Sequence, residues 1–321
     1  MSMHVWGAGG KTAFICSTGG HLAELHRLEA VFGPHPDSLW ITFDTPQSRQ
    51  MLEGRRCAML PYVGPRDVKG TMAAMRPLRR MLRGEPFDAA ISTGAAIAAV
   101  ALPIAAAHGI PATYIESVAR LDGPSLTGRL LQRWPKVHLR TQNPTWADGR
   151  WKTSESVLSA YRGVPRTGHV KTDRLFVTLG TIRGYRFDSV IDAVLASGLA
   201  NDDTVWQLGE TPRGDLPGHV HDYLGPEEFT AAAAAADVVV SHAGVGSLLE
   251  MLALGIHPVL AVRSADRGEH VDNHQEQIAS LVNDLGIATA VPGPAVTREI
   301  CERAAALASV DDLIVERKRA V

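Results

Sequence analysis

The chain has 321 residues, of which 45% are hydrophobic and 21% are charged, and its formal net charge is −2. A chain of this length and composition is expected to fold into about two globular domains, and its near-neutral charge argues against the basic surface that nucleic-acid-binding proteins carry. The three cysteines are too scattered for a disulfide framework, and residues 1–11 contain no apolar segment long enough for a signal peptide or a membrane anchor. We therefore expect a cytoplasmic protein.

The first half of the chain alternates short apolar strands with helical patterns. Thr12–Cys16 predicts a strand, a glycine-rich turn at 17–21 follows it, and the spacing of the next leucines predicts a helix. This alternation is typical of a parallel sheet with helices on both faces. Further strands are predicted at 39–43, 58–60, 89–92 and 112–115, and helices from 46, over 71–83 and over 95–107.

The second half repeats that arrangement. An apolar strand at 175–179 precedes a turn and a helix from Asp188, and residues 237–240 predict another strand. Residues 161–173 are rich in glycine, proline and basic residues, which predicts a hinge. We therefore expect an α/β protein with two Rossmann-like domains that face each other across a cleft. The predicted domains are 1–165 and 166–296, and helices are predicted over 297–308 and 310–320.

Residues 241–250 combine a strand end, a turn with two glycines and the start of a helix. The first N–H groups of a helix have no intrahelical partner, and the helix dipole adds positive potential at the same place. Such a turn is therefore a site where a diphosphate can bind, and glycine lets it approach the backbone closely. The residues assigned to this diphosphate are Gly244, Val245, Gly246 and Ser247.

Two side chains beside this turn each have two interpretations. Glu250, one turn into the helix, can bind ribose hydroxyls, or it can form a capping box with Ser247. His242 is either a hydrogen-bond donor to the diphosphate or a strand-end histidine that bonds to backbone. Gly180 and Thr181, in the turn after the first strand of this half, are assigned to the same donor site.

The motif of residues 242–250 and the cluster Asn273-His274-Gln275 together resemble the donor-binding half of nucleotide-sugar glycosyltransferases of the GT-B fold. Over residues 174–290 the chain is similar to the family that adds GlcNAc to lipid I in peptidoglycan synthesis, and to the catalytic subunits of dolichol-linked GlcNAc transferases. The resemblance implies that Glu250 holds the ribose of a UDP-sugar and that the glycine-rich turn holds its diphosphate. It also implies that Asn273 and Gln275 contact the donor sugar.

Two stretches of the first half carry a second resemblance. Residues 18–25 and 114–120 resemble the partner subunit of dolichol-linked GlcNAc transferases and one chain of two-chain bacterial exopolysaccharide glycosyltransferases. The chain as a whole thus resembles both subunits fused, except that the N-terminal membrane segment of the eukaryotic partner subunit is not expected here. The resemblance implies a polyprenyl-diphosphate-linked saccharide as the acceptor in the first domain. It also implies that the helices of residues 297–321 pack back on that domain, as in GT-B enzymes.

Transfer of a sugar needs a base that takes the proton of the acceptor hydroxyl. His21, in a turn at a helix start, suits that role because histidine titrates near neutrality, but it can instead cap the helix or bond to backbone. Glu116, at the end of a predicted parallel strand, is the alternative base, and its competing interpretation is an ion pair with Arg120. Arg120, Gly19 and Gly20 are assigned to the acceptor side, where the two glycines can approach a phosphate of donor or acceptor.

Residues 69–83 form a basic segment without acidic residues, interleaved with methionines and leucines. This segment is either a helix packed on the sheet with a solvated basic face, or a helix that lies in an anionic membrane interface. Pro77 interrupts the helix or starts it anew. Residues 126–137 are a second candidate of the same kind, and a lipid-linked acceptor would place both at the inner face of the cell membrane. The arginines assigned to the membrane are Arg76, Arg79, Arg80 and Arg83.

No Asp-x-Asp motif occurs in the sequence, so we expect no metal cofactor and a diphosphate held by the helix N-terminus. The expected activity is inverting transfer from a UDP-sugar, with GlcNAc, glucuronic acid and glucose all open as the sugar. Arg263 or Arg267 can pair with a uronate carboxylate, or both can be solvated loop charges. Three alternatives remain: a glycosyltransferase of secondary metabolism with a soluble acceptor, a sugar-nucleotide 2-epimerase, and a non-catalytic UDP-sugar-binding module.

Overall fold

The computed structural model describes residues 9–64, 67–168, 170–180, 184–270 and 274–313. The chain divides into two compact units, residues 1–157 and 158–321. Each unit is built around its own parallel sheet, as the alternation of strands and helices in the sequence predicts.

The first unit contains a seven-stranded sheet in which every neighbouring pair of strands is parallel. Its spatial order is strand 3-2-1-4-5-6-7, a doubly wound order in which ligands bind where the connections after strands 1 and 4 diverge. The strands are β1 (Thr12–Cys16), β2 (Leu39–Phe43), β3 (Cys57–Leu60), β4 (Ala89–Gly94), β5 (Ala112–Ile115), β6 (Val137–Thr141) and β7 (Trp151–Thr153). The helices are α1 (Gly20–Phe32), α2 (Pro46–Met51), α3 (Val68–Ala73), α4 (Met75–Gly84), α5 (Ala96–Ala107) and α6 (Leu126–Leu131).

The central strands of this sheet are covered on both faces. Every residue of β1, β2 and β4 is buried, which is why their sequences lack the apolar–polar alternation of a strand with one wet face. Phe14 of β1 stacks on Trp40 of β2, with the ring centroids 4.7 Å apart. Close packing of this kind resists displacement, so the carboxyl ends of the central strands are a rigid base for the turns that follow them.

The predicted helix over 71–83 is two helices in the structure. α3 ends at Ala73 and α4 begins at Met75, so Pro77 lies in the first turn of α4. A proline is tolerated there because the N–H that it lacks has no intrahelical acceptor in the first turn. Pro77 therefore accompanies a new helix and does not kink an existing one.

The second unit contains a six-stranded parallel sheet and a separate antiparallel pair of strands. The strands are β8 (Tyr161–Pro165), β9 (Leu175–Thr178), β10 (Val205–Gln207), β11 (His219–His221), β12 (Val238–His242), β13 (Val259–Val262), β14 (Thr289–Pro292) and β15 (Leu307–Asp311). The helices are α7 (Asp188–Ala196), α8 (Pro226–Ala235), α9 (Val245–Ala253), α10 (His274–Leu285) and α11 (Arg298–Ala305). The sheet order is β11-β10-β9-β12-β13-β14, so β9 and β12 correspond to β1 and β4 of the first unit.

The end of the chain differs from the sequence prediction. α11 packs its small residues Cys301, Ala304 and Ala305 into the core of the second unit, whereas the prediction had residues 297–321 on the first. The next residues, Leu307–Asp311, form β15 and pair with β8 instead of forming the helix predicted from 310. Part of the predicted hinge is therefore the strand β8, which belongs to the second unit. For this reason the boundary between the units falls before the predicted residue 165. Residues 314–321 lie outside the described residues.

In the part of the chain that the structure describes, no helix has both the length and the apolar character that crossing a bilayer requires.

A substitution at Gly163 tests the packing of β8 within the second unit. A Cβ atom added at this position would overlap the backbone carbonyl oxygen of Gly286. We expect Gly163→Ala to lower the free energy of unfolding by about 1–3 kcal/mol, the usual cost of overpacking, in urea denaturation. At Gly84, the last residue of α4, an added Cβ meets no atom. Gly84→Ala is the control, with a change of less than about 1 kcal/mol, and equal losses in both variants would contradict this packing.

Candidate functional site

The divergence point of the second sheet lies between β9 and β12, and His242 occupies it. His242 is the last residue of β12, and its imidazole lies between two glycines. A Cβ added at Gly180 would lie 2.6 Å from the His242 Cε1 atom, and one added at Gly244 would overlap the ring. Gly180 also has a φ of +72°, a conformation that favours glycine. Both glycines are therefore required by the position of this ring.

The helix α9 begins immediately after this ring. Gly244 is its N-cap residue and has no side chain with which to cap it. The first N–H groups of α9 are therefore available to an anion, and the positive end of the helix dipole lies at the same place. The predicted diphosphate residues Gly244, Val245, Gly246 and Ser247 thus form the first turn of one helix, and each is partly exposed.

Glu250 does not form a capping box. Because α9 begins at Val245, Ser247 lies inside the helix and is not its cap. The Glu250 carboxylate instead accepts a hydrogen bond from the Thr230 hydroxyl of α8, at 3.2 Å through its Oε1 atom. Partial burial raises the pKa of Glu250, which the bond from Thr230 opposes. The structure thus excludes the capping box as the role of Glu250. The bond from Thr230 does not use the second carboxylate oxygen, which is left for a ligand.

His242 is held in its neutral form. Burial lowers the pKa of His242 to about 4, and the nearby guanidinium of Arg263 contributes to the decrease. Its Nδ1 atom is buried and has no hydrogen-bond partner among the described residues. A backbone hydrogen bond with Thr178 opposes the decrease of its pKa, so the interpretation as a backbone-bonded histidine stays open. A neutral imidazole at this place can donate one hydrogen bond without adding a charge.

Arg263 is not a solvated loop charge, whereas Arg267 is exposed. Arg263, directly after β13, is 1% exposed, and burial lowers its pKa to about 10. The exposed Arg267 lies 3.1 Å from the carboxylate of Glu269. The guanidinium of Arg263 donates its hydrogen bonds to backbone carbonyl groups, so it is not placed to bind a uronate.

Gln275 is the one residue of the predicted sugar-binding cluster whose side chain the structure describes. Its Oε1 atom accepts a hydrogen bond from the backbone N–H of Arg263, at 3.1 Å. That bond engages only the oxygen of the amide, so its N–H groups are oriented away from the Arg263 backbone. Thr181 and Asn273, which were assigned to the same site, lie outside the described residues.

The first unit has its own divergence point, between β1 and β4, and His21 occupies it. His21 is the second residue of α1, whose N-cap is Gly19, with a φ of +78°. The ring lies against the next strand, since a Cβ added at Gly94 would be 3.0 Å from the His21 Cε1 atom. The Thr93 hydroxyl donates a 2.7 Å hydrogen bond to the His21 carbonyl oxygen. His21 therefore lies within the helix and does not cap it.

Several predicted acceptor-side residues gather around His21. Burial lowers the pKa of His21, and the charge of Arg120 contributes, so the ring is unprotonated at neutral pH. Gly19 and Gly20 form the start of α1 beside it. The Gly19 N–H donates a 2.7 Å hydrogen bond to the side-chain oxygen of Gln47 on α2, a contact that the sequence analysis missed. The unprotonated form is the one that a general base requires.

Glu116 has a geometry that favours a structural role over that of a base. It is 1% exposed, and its carboxylate accepts hydrogen bonds from the Tyr114 hydroxyl at 2.9 Å and from the Ser125 N–H at 2.8 Å. The Ser125 hydroxyl and the Ser117 N–H donate to it as well. These bonds hold the turn between β5 and α6 in place, and the ion pair with Arg120 stays a prediction.

Glu24 is a buried carboxylate that the sequence analysis missed. It lies one turn after His21 on α1 and is 1% exposed. Its oxygens accept hydrogen bonds from the Ser117 hydroxyl at 2.6 Å, the Val118 N–H at 3.0 Å and the Gln142 side-chain amide at 2.6 Å. The signal in the sequence was a glutamate among the buried leucines of an apolar helix face. Glu24 joins the helix that carries His21 to the turn that follows Glu116.

The basic segment at 69–83 has features of both of its interpretations. Leu78 and Leu82 of α4 are buried in the core of the first unit, as expected for a packed amphipathic helix. α3, α4 and α6 all pack beside α5, which brings the two predicted membrane candidates onto one face of the first unit. The exposed apolar residues on these helices and the turn after them are Met72, Met75, Leu126, Leu130 and Trp134. The exposed arginines of α4 are Arg76, Arg79, Arg80 and Arg83.

Among the described residues, no group of three or more histidine, cysteine, aspartate or glutamate side chains could hold a metal ion. The expectation that the diphosphate is bound without a metal stays a prediction.

Glu24 gives the first unit a pH dependence that can be measured. Burial and the neighbouring Glu116 raise the pKa of Glu24 from 4.5 to about 7 against its hydrogen bonds, so the folded protein retains a proton that the unfolded chain loses above pH 4.5. The stability contributed by this proton is complete below pH 4.5 and is lost as the pH rises to 7. As the pH rises from 4.5 to 7, the wild type should lose this contribution and Glu24→Gln should not. We therefore expect the free energy of unfolding of Glu24→Gln, measured by urea denaturation, to rise by roughly 3 kcal/mol relative to that of the wild type over this range.

Glu53→Gln, at an exposed glutamate of the same unit, is the control for this titration. A difference between Glu24→Gln and the wild type that stays constant from pH 4.5 to pH 7 would contradict the raised pKa.

Comparison with known proteins shows what this chain is similar to. Residues 218–294 match the model of the glycosyltransferase family 28 C-terminal domain. No curated protein sequence matches the chain. The matched segment contains α9 with its glycine-rich start, Glu250, Arg263 and Gln275, which are the residues that form the site in the second unit.

Three solved structures show the same fold at low sequence identity. MurG of Acinetobacter baumannii is 16% identical, with 91% of this chain and 89% of that chain covered and a TM-score of 0.54. The glycosyltransferase SnogD of Streptomyces nogalater is 19% identical, with 92% and 90% covered and a TM-score of 0.57. A putative UDP-N-acetylglucosamine 2-epimerase of Listeria monocytogenes is 11% identical, with 91% and 94% covered and a TM-score of 0.54.

The fold is therefore GT-B, with two Rossmann-like units, as the sequence predicted. The family 28 match and this fold together support a glycosyltransferase that uses a UDP-sugar. The resemblance to two fused subunits stays a prediction. The 2-epimerase among the similar structures shows that the fold alone does not decide the reaction.

Proposed function

We propose that the protein is an inverting glycosyltransferase that moves a sugar from a UDP-sugar to a polyprenyl-diphosphate-linked saccharide. The observation that carries this proposal is the start of α9, where uncapped N–H groups, the neutral His242 and Glu250 lie together in the segment that matches family 28. The donor is held by the second unit and the acceptor by the first.

The proposed donor site divides the nucleotide among these groups. The N–H groups and the dipole of α9 bind the diphosphate and stabilise the charge that grows on it as it leaves. His242 donates a neutral hydrogen bond to it. Glu250, whose Oε1 accepts the bond from Thr230, binds the ribose hydroxyls through its other oxygen. Since the helix supplies the electrostatic stabilisation, the proposed reaction needs no metal.

The proposed acceptor site uses the start of α1 in the same way. Gly19 and Gly20 present a second helix N-terminus, and Arg120 adds a positive charge near it, which suits the diphosphate of a lipid-linked acceptor. His21, unprotonated at neutral pH, takes the proton of the attacking hydroxyl. That oxygen bonds to the anomeric carbon as the bond from this carbon to UDP breaks, so the configuration inverts.

The exposed apolar and basic face of the first unit supports a lipid-linked acceptor over a soluble one. Leu126 is 73% exposed and Trp134 is 50% exposed, and the arginines of α4 lie on the same face. Apolar side chains that enter the acyl boundary and arginines that attract anionic headgroups are the two requirements of interfacial binding. We propose that this face binds the inner surface of the cell membrane peripherally.

The activity is tested by UDP release from UDP-GlcNAc, UDP-glucose and UDP-glucuronate, with and without a bacterial lipid extract. We expect release from one of them and only with lipid. His21→Ala is expected to retain UDP binding and to lose about 10²–10⁴-fold in rate, the usual contribution of a general base. Glu250→Ala is expected to weaken UDP binding about tenfold or more in calorimetry.

Glu299→Ala, at an exposed glutamate of α11, is the matched control and should leave UDP binding and release unchanged. UDP binding without release under any condition would indicate a binding module or a soluble acceptor missing from the assay. No UDP binding by the wild type would overturn the proposed function.

Membrane binding is tested by co-sedimentation with vesicles that contain anionic lipid. Arg79→Gln/Arg80→Gln removes two exposed charges of α4 and is expected to reduce binding about tenfold or more, since each such charge contributes about 1 kcal/mol. The matched control, Arg298→Gln/Arg303→Gln, removes two exposed charges of α11. Equal losses in both double variants, or equal binding to neutral vesicles, would contradict a specific basic face.

A further inference from the structure

Arg263 is a buried charged residue that the proposed reaction does not use. It follows β13 directly and is among the largest fully buried side chains of the protein. A buried guanidinium is costly unless hydrogen bonds compensate its lost hydration. The location of those bonds therefore shows what this arginine does.

The guanidinium of Arg263 joins two turns that are distant in sequence. Its Nη2 atom donates to the carbonyl oxygen of Leu179 at 2.6 Å, and its Nη1 atom donates to that of Tyr185 at 3.2 Å. These two residues lie in the connection between β9 and α7. Nη1 also donates to the carbonyl oxygen of Glu269 at 3.0 Å, in the turn that follows β13. The guanidinium lies over the Phe187 ring, 4.6 Å from its centroid.

The turn after β13 is held by further bonds to the same region. The Glu269 carboxylate accepts hydrogen bonds from the Ser264 N–H at 2.9 Å and from the Ser189 hydroxyl of α7. The backbone N–H of Arg263 donates to Gln275 of α10. Since α7 follows the β9 turn and α10 follows the β13 turn, the backbone and the side chain of Arg263 link both turns to the helices behind them.

The glycine at the centre of the donor site lies next to this link. Gly180 is adjacent in sequence to Leu179, and it is the glycine against which the His242 ring packs. A shift of the β9 turn would therefore move Gly180 and His242 relative to the start of α9. Arg263 itself is too deeply buried to contact a ligand in the open turn.

We propose that Arg263 is a positioning residue, which sets the distance between the turns after β9 and β13 and thereby holds Gly180, His242 and Gln275 in place for the donor. This inference rests on the proposed function for its ligand, a UDP-sugar, but the link between the turns is independent of it. Lysine cannot replace the residue, because a single ammonium lacks the planar set of donors that reaches three carbonyl groups at once.

The test compares Arg263→Met and Arg263→Lys with the control Arg298→Met. Arg298 also donates to two backbone carbonyl groups of the second unit, those of Ser197 at 3.2 Å and Gly198 at 2.7 Å. These follow the end of α7, at the opposite edge of the sheet from the carboxyl ends of the strands. The control thus removes the same kind of contact away from the donor site.

Three measurements apply to each variant: amide hydrogen exchange at 184–187 and 264–270, UDP affinity by calorimetry, and the NMR titration of His242. For both Arg263 variants we expect faster exchange in both turns and UDP affinity reduced at least about tenfold. The pKa of His242 should rise in Arg263→Met, because a neighbouring positive charge is removed. Arg298→Met should change none of the three.

Two results would overturn the inference: unchanged exchange in both turns, or faster exchange with unchanged UDP affinity. Full UDP affinity in Arg263→Lys would also overturn it, since a charge alone would then suffice. If the wild type binds no UDP, the proposed function fails together with the role of the turns in donor binding, while the exchange data still decide whether Arg263 links them.

Discussion

The contact between a histidine ring and a glycine at each divergence point is the constraint on which both sites depend. In the first unit His21 packs against Gly94, and in the second His242 packs against Gly180. The two strands involved are neighbours whose connections leave in opposite directions, so their carboxyl ends open a crevice. A side chain at Gly180 would overlap the His242 ring, and one at Gly94 would crowd the His21 ring. The ring therefore fills the base of the crevice while the adjacent helix start stays free to bind an anion.

Buried ionisable groups then hold the turns around each ring. Glu24 bonds to Ser117, Val118 and Gln142 in the first unit, and Arg263 bonds to the turns after β9 and β13 in the second. Such groups are costly to bury, and their hydrogen bonds offset that cost only when all partners are in place. Buried ionisable groups are thus a means of fixing turn geometry, because a displaced turn would leave a buried polar group without its bonds.

The two histidines have the same charge state but different chemical roles in the proposed reaction. Burial lowers the pKa of both, so both rings are neutral at physiological pH. A neutral ring can accept a proton at one nitrogen and donate a hydrogen bond from the other. His21, next to the start of α1, is suited to acceptance, and His242, next to the start of α9, to donation. Local surroundings, and not the residue type, distinguish the two roles.

The sequence by itself determined the alternation of strands and helices, the glycine-rich turns and the candidates His21, His242 and Glu250. These features are local, because strand burial, turn conformation and helix starts depend on residues close together in the chain. Only the tertiary structure decided that Glu24 is enclosed, that Arg263 is buried and that Leu307–Asp311 is a strand. Those outcomes depend on partners such as Gln142 for Glu24 or Leu179 for Arg263. Such partners are far away in sequence, and no local periodicity records which distant group a side chain will meet.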